Sequence, residues 1–249
     1  MKRPENIHDK AVAHGYRGTD QKEPHMTTPI TVQVYSDVVC PWCFLGMRNL
    51  LDAWPRVGHD AMKVEWRPFI LDPNIPAGGV DRQQYMLSKF GSKERIDAAH
   101  DRLREMGAQV GLAFDFDAIK VSPNTLDAHR LIHWAGRHGP ERQSALVARL
   151  FRAYFQEGKD VGNRDVLVQC ATDAGMDAAH ARELLETDAH RKDVLEAVAA
   201  AQRMGITGVP CFILENRYVI SGAQPAEVLE DAIRQVAALK ERGKLDKDF

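Results

Sequence analysis

Cys40 and Cys43 stand two residues apart in the stretch SDVVCPWCFLG, residues 36–46. A pair at this spacing serves as half of a metal site, as a structural disulfide or as a redox dithiol. Structural zinc wants four ligands, usually from a second close pair. The other two cysteines, Cys170 and Cys211, are far apart, and neither has a cysteine or histidine at a matching offset. A permanent disulfide belongs to an exported chain. The first 25 residues are polar, carry both charge signs and contain no apolar run of the ~7–15 residues that a secretory signal needs. The dithiol reading is therefore favoured, in a reducing, cytoplasmic setting, with the metal assignment set at none.

The spacing also assigns roles. An extended run precedes Cys40 and a helical pattern follows it, so Pro41 falls at the first helical position, where its missing N–H costs nothing. Cys43 comes three residues later, on the same side of the first turn. Cys40 lies where unpaired backbone N–H groups and the helix dipole favour an anion, and the thiolate is the reactive form of cysteine. This makes Cys40 the attacking thiol and Cys43 the resolving one. Trp42 is read as a packing aromatic or as an apolar rim for an extended substrate. Far downstream, ITGVPCF sets Pro210 at a strand start behind Val209. A cis peptide there would bend the chain and leave the Val209 backbone free to pair with a substrate strand.

Other candidates carry blander readings. Cys170 shares an apolar helical face with Leu167, Ala171 and Ala174, as a buried inert thiol does. Cys211 reads as a core residue of a central strand, or as a third thiol near the pair. His129 and His133 lie four apart on a helical segment, but no glutamate completes a zinc motif, so packing is favoured. Asn124 is either a helix cap or a cleft residue.

The elements that position these residues are legible in periodicity. ITVQVYS (30–36) and MKVEWRPFIL (62–71) alternate as strands, and FLGMRNLLDAW between them repeats at helical steps. From about Val80 to Thr187 helix formers dominate and no strand signal is visible. A further helix, DVLEAVAAAQRMGI, places Val194, Val198, Ala201 and Met204 on one face. Two short strands then flank a turn at Glu215–Asn216, and a last helix follows Pro225. The expected organisation is a loose arm over 1–27, a core from 28–78 and 188–249, and a helical insertion over 79–187. A start at Met26 would remove the arm without touching any motif. The fold class is α/β: β-α-β, then α-β-β-α, interrupted by an all-helical insertion, which is the element order of a thioredoxin fold.

Composition narrows the partners. The chain has 249 residues and is 44% hydrophobic, enough for a sizeable core. Its 33 basic and 35 acidic side chains nearly cancel, and no basic block stands out, which argues against nucleic acid. No apolar run approaches the ~20 residues of a membrane helix.

CPWCFLG after a strand, the helical insertion and GVPCFILENRYVISGAQP together resemble the DsbA-like branch of the thioredoxin superfamily. RPFILDPNIP, SPNTLDAHRLIHWA, LFRAYFQEGKDVGNRDVL and VISGAQP narrow the resemblance to its FrnE-like subfamily, over roughly Ile30 to Leu239. The resemblance implies a thiol–disulfide oxidoreductase or isomerase with Cys40 attacking, Cys43 resolving and Pro210 as the cis-proline. Partners would be protein thiols and disulfides or glutathione, with no cofactor beyond the dithiol itself. The chain is also similar to a sister group, the 2-hydroxychromene-2-carboxylate isomerases and kappa-class glutathione transferases, which typically use a serine near the Cys40 position. Glutathione-dependent isomerase or transferase chemistry is the alternative, and a non-catalytic module binding through the Val209–Pro210 edge is a third reading. Two departures stand out. Cys211 follows Pro210 directly, and Trp42 replaces the histidine that the family's strong oxidant carries beside its second cysteine. Without that cation the Cys40 thiolate is less stabilised, so the pair is expected to be less oxidising than that protein. Equilibration of the chain with glutathione redox buffers measures this, and a potential as high as the strong oxidant's contradicts it.

Overall fold

The computed structural model describes residues 29–58 and 61–245. The proposed arm and the alternative start at Met26 lie outside the described residues.

The central sheet holds four strands: β1 (Ile30–Ser36), β2 (Met62–Pro68), β5 (Cys211–Leu214) and β6 (Tyr218–Ser221), in the order β2-β1-β5-β6. β1 runs parallel to β2, with Ile30 opposite Met62 and Ser36 opposite Pro68. It runs antiparallel to β5, with Val32 opposite Leu214 and Tyr35 opposite Cys211. Helix α1 (Pro41–Val57) makes the crossover from β1 to β2. The β5–β6 hairpin turns at Glu215 and Asn216, which both take left-handed φ values of 50° and 58°. Glu215 is held there because its carboxylate accepts the Thr31 amide at 2.6 Å and the Lys240 ammonium at 3.0 Å.

β1 is covered on both faces, as the middle strand of a sheet must be. Val32 and Val34 face a large core shared with Phe44, Leu50, Phe212 and Leu214. Tyr35 faces a smaller one with Phe69, Ala201, Ile206, Cys211 and Ile213. Between β2 and β5 the chain forms seven further helices: α2 (Arg82–Phe90), α3 (Lys93–Gln109), α4 (Leu126–Gly136), α5 (Pro140–Phe155), α6 (Arg164–Asp173), α7 (Ala178–Glu186) and α8 (Arg191–Arg203). Helix α9 (Ala226–Glu241) packs along α1. This is the thioredoxin arrangement with a helical insertion that the periodicity predicts.

Two details depart from the sequence reading. The insertion is not purely helical: β3 (Val80–Asp81) pairs with β4 (Val121–Ser122) in a small antiparallel ladder. Two residues per strand are too few to show alternation. Gly79, at φ 73°, permits this approach, since a Cβ on it would lie 2.6 Å from Val121 Cγ1. Met204 does not join the apolar face of α8. The helix ends at Arg203, and Met204 is 57% exposed.

Phe44, the residue after Cys43, ties the core to the insertion. Its ring stacks on Phe151 at 5.2 Å and meets Phe114 edge-on at 5.7 Å. Phe116 and Phe155 extend the same cluster. Each such pair adds about 0.5–1.5 kcal/mol beyond its buried area.

Two residues further along α1, Gly46 lies against the downstream half of the fold. A Cβ at Gly46 would sit 2.9 Å from Pro210 Cγ and 3.3 Å from the Phe212 ring. The substitution Gly46→Ala is expected to lower unfolding stability by about 1–3 kcal/mol through overpacking. Denaturant titration measures this, and an unchanged midpoint would show that the helix and the Pro210 loop are not in close contact.

Candidate active site

β1 ends at Ser36, and a turn brings the chain to Cys40, whose amide donates to the Asp37 carbonyl at 3.0 Å. Cys40 has an extended backbone (φ −91°, ψ 112°) and caps α1, with Pro41 at the first helical position. Its carbonyl accepts the Cys43 and Phe44 amides at 3.0 and 3.2 Å, closing the first turn. That turn sets the two thiols in hydrogen-bonding contact. Burial pushes the Cys43 thiol well above its ordinary range, and Cys40 pushes it further, while the Ser36 hydroxyl and the Asp37 amide pull the other way.

The second half of the site arrives from residues 209–210. The Val209–Pro210 peptide is cis. The Cys40 thiol donates to the Val209 carbonyl at 3.7 Å. Pro210 lies behind this bend, buried against Gly46.

A cavity of about 840 Å³ opens in front. Cys40, Pro41, Trp42 and Val209 all line it, together with residues of α2, α3 and the β4–α4 turn. Cys43 and Pro210 do not line it; Cys43 is 1% exposed and sits behind Cys40. The cavity is largely apolar but carries cations. Arg82 reaches Ser122 Oγ at 3.3 Å, and the Arg102 guanidinium lies 5.8 Å from the Trp42 ring. Lys89 is neutralised by Asp72 at 2.8 Å. His100 stacks on Phe116 at 4.0 Å, and burial with nearby Arg82 lowers its pKa, so the ring stays neutral at neutral pH. Burial raises the Tyr154 phenol to about 12, which makes it a donor, to the Val121 carbonyl at 3.2 Å. These cavity residues come from separate helices, and the sequence gives no signal that joins them.

A buried polar pair also escapes the sequence reading. Asp37 and His129 are 1% and 3% exposed. Asp37 Oδ2 accepts the Leu71 amide at 2.8 Å, while its Oδ1 faces His129 Nε2 at 3.4 Å. Among the described residues neither of those facing atoms has a hydrogen-bond partner. An acidic residue inside the largely apolar VYSDVVC was the available signal.

With this geometry in view, similarity to known proteins is informative. The family model for the DsbA-like thioredoxin domain matches residues 31–234. The chain belongs to the DsbA-like thioredoxin family. A probable DsbA oxidoreductase from Streptomyces coelicolor superposes with a TM-score of 0.76 at 33% identity, over 84% of this chain and 90% of that one. The YwbO protein of Bacillus subtilis is 31% identical over 82% of this chain and 96% of its own length. Human glutathione S-transferase kappa 1 is 23% identical over 81% and 89%. Among the described residues, no helix is long and apolar enough to cross a membrane.

The remaining candidates of this DsbA-like domain fall into structural places. Cys170 is buried, and burial raises its thiol to about 11. Asn124 donates to the Ile75 carbonyl at 2.6 Å and accepts the Leu126 amide at 3.0 Å, so its side chain pins a loop and starts α4. His129 and His133 diverge, the first towards Asp37 and the second towards His190 and Asp193. Cys211 packs with Tyr35 and Ile213, on the face of the sheet opposite Phe212, whose side belongs to the core around Cys40 and Cys43. Alternation along the strand therefore turns the third thiol away from the pair. Cys211→Ser is expected to leave the redox potential of Cys40–Cys43 unchanged in glutathione equilibration, and a shifted potential would bring Cys211 back into the site.

Proposed function

We propose that the chain is a thiol–disulfide oxidoreductase or isomerase of the FrnE-like branch, working through the Cys40–Cys43 dithiol on protein thiols and disulfides or on glutathione. The observation that carries this reading is the unequal placement of the two sulfurs. Cys40 lines the cavity beside the Val209–Pro210 bend, and Cys43 lies buried behind it. Access thus assigns attack to Cys40 and resolution to Cys43.

In the oxidised form a substrate thiolate attacks Cys40 Sγ, and the Cys40–Cys43 bond breaks with Cys43 leaving. A second substrate thiolate then attacks its partner sulfur in the mixed disulfide and releases Cys40. The substrate gains a disulfide, and the pair takes up two electrons. In the reduced form the flow reverses: Cys40 attacks a substrate disulfide, and Cys43 displaces the substrate thiol. Burial keeps Cys43 protonated until it is needed. The Ser36 hydroxyl and the Asp37 amide then offset part of the cost of its thiolate. Trp42 and Val209 form the rim against which an extended substrate lies, with Pro41 and Pro210 fixing the two backbones that present it.

A second reading has its own observation. The cavity is large enough for a small molecule, and Arg82 and Arg102 give it a positive wall suited to carboxylates. Together with the similarity to a kappa-class transferase, this supports a glutathione-dependent isomerase or transferase. The presence of both cysteines favours disulfide exchange over it.

Trapping separates the two. Cys43→Ser removes the resolving thiol, so a mixed disulfide on Cys40 should persist through acid quenching and alkylation. Protein adducts, identified by mass spectrometry, are the expected result. Glutathione as the sole adduct transfers the weight to the second reading. An unmodified Cys40 of ordinary thiol reactivity ends the dithiol reading altogether.

A further inference from the structure

Where the end of α4 meets the start of α8, three metal-ligating groups come together. His133 stands in the last turn of α4, and His190 and Asp193 open α8. One ligand atom from each lies within 4.8 Å of the other two. His190 Nδ1 is 3.0 Å from Asp193 Oδ2, and His133 Nε2 is 3.9 Å from the same oxygen. The two imidazole rings are 5.1 Å apart and tilted by 45°, so they do not stack face to face. Tetrahedral zinc with bonds of about 2.0–2.1 Å holds its ligand atoms roughly 3.3 Å from one another. The observed separations bracket that value, and small side-chain rotations close the remainder.

The backbone around this cluster is independently fixed. His190 adopts a left-handed conformation, φ 59° and ψ 5°, which is uncommon for a residue other than glycine. It caps α8, yet its side chain makes no capping bond to the helix and points to Asp193 instead. The loop that delivers it is gripped by Arg130, one turn before His133 on the same helix. Arg130 is 2% exposed and donates to the carbonyls of Leu184 (2.5 Å), Thr187 and Ala189 (2.7 Å). A buried guanidinium thus holds α4 and the His190 loop in register, which preorganises the three ligands.

We infer that His133, His190 and Asp193 form a binding site for a divalent transition metal, zinc by the chemistry of the donor set. Two imidazoles and one carboxylate, with an open fourth position, are a donor set that zinc takes. Asp193 is half exposed, which leaves the fourth position to water. Bound metal would clamp the end of α4 to the start of α8. Arg137 and Arg67 lie close enough to act on His133, and their positive charge makes the site weaker than a four-ligand structural one.

The test uses the full chain without an affinity tag, stripped by chelation and titrated calorimetrically with zinc. Cobalt serves as a spectroscopic stand-in, because thiolate ligands give intense charge-transfer absorption and imidazole–carboxylate ligands do not. One equivalent of zinc is expected to bind, with cobalt spectra free of thiolate bands. His133→Ala and His190→Ala should each weaken binding by ~10-fold or more, as loss of even an outer-shell partner does. Zinc should raise the melting temperature of the parent chain and not that of either variant. Asp193→Asn, at an exposed position, gives a third variant whose fold is checked by circular dichroism. No saturable binding, binding that survives the histidine variants, or a thiolate signature that places the metal on the cysteines would each overturn the site.

Discussion

The contact of α1 with the bend at Val209–Pro210 is the constraint on which the site depends. At Gly46 there is no room for a methyl group between the helix and the Pro210 ring. Six residues earlier, the Cys40 thiol meets the Val209 carbonyl. These two contacts join segments that lie more than half the chain apart and set the Cys40 sulfur beside the Val209–Pro210 bend. The sheet serves the same end. β1 delivers the cysteine turn, β5 begins directly after Pro210, and their antiparallel pairing sets the height of one against the other. Phe44 then extends the arrangement outward, since its ring lies within the aromatic cluster of the insertion. The helices that wall the cavity are therefore positioned from the same first turn that holds the dithiol.

Burial gives two chemically identical side chains two different surroundings. Both sulfurs are largely hidden, but only Cys40 borders the cavity. Cys43 sits where desolvation penalises its charged form, while the Ser36 hydroxyl and the Asp37 amide pull the other way. Asp37 works on both sides of this division. Its backbone contributes to the surroundings of Cys43 and receives the Cys40 amide, and its carboxylate anchors the Leu71 loop and faces His129. One buried acid thus links the cysteine turn, the loop after β2 and the first turn of α4.

Most of the frame was legible in the sequence because its signals are local. Alternation in residues 30–36, a proline after Cys40 and a turn at Glu215–Asn216 each declare their own element. Pro210 after Gly208 and Val209 was legible as a bend for the same reason. What could not be read depends on distance in the chain. The cavity joins residues from four helices and several loops, the Asp37–His129 pair joins segments 92 residues apart, and Arg130 holds the loop that brings His190 to His133. β3 and β4 were missed because two-residue strands have no period, and Met204 was misplaced because α8 stops one residue short of it. Cys211 needed the register of β5 to show which side of the sheet it faces.

The strand order carries a consequence for synthesis on the ribosome. β1 and β2 emerge early and can pair at once, but the other edge of β1 is completed only by β5, some 175 residues further on (Ser36 to Cys211). Until then the growing chain presents an open strand edge next to two cysteines, with the helical segment already outside the tunnel. An open edge of this kind invites pairing with other chains. The interval between synthesis of β2 and synthesis of β5 is therefore the period in which the nascent protein is most exposed to misassociation and to premature reaction at its own thiols.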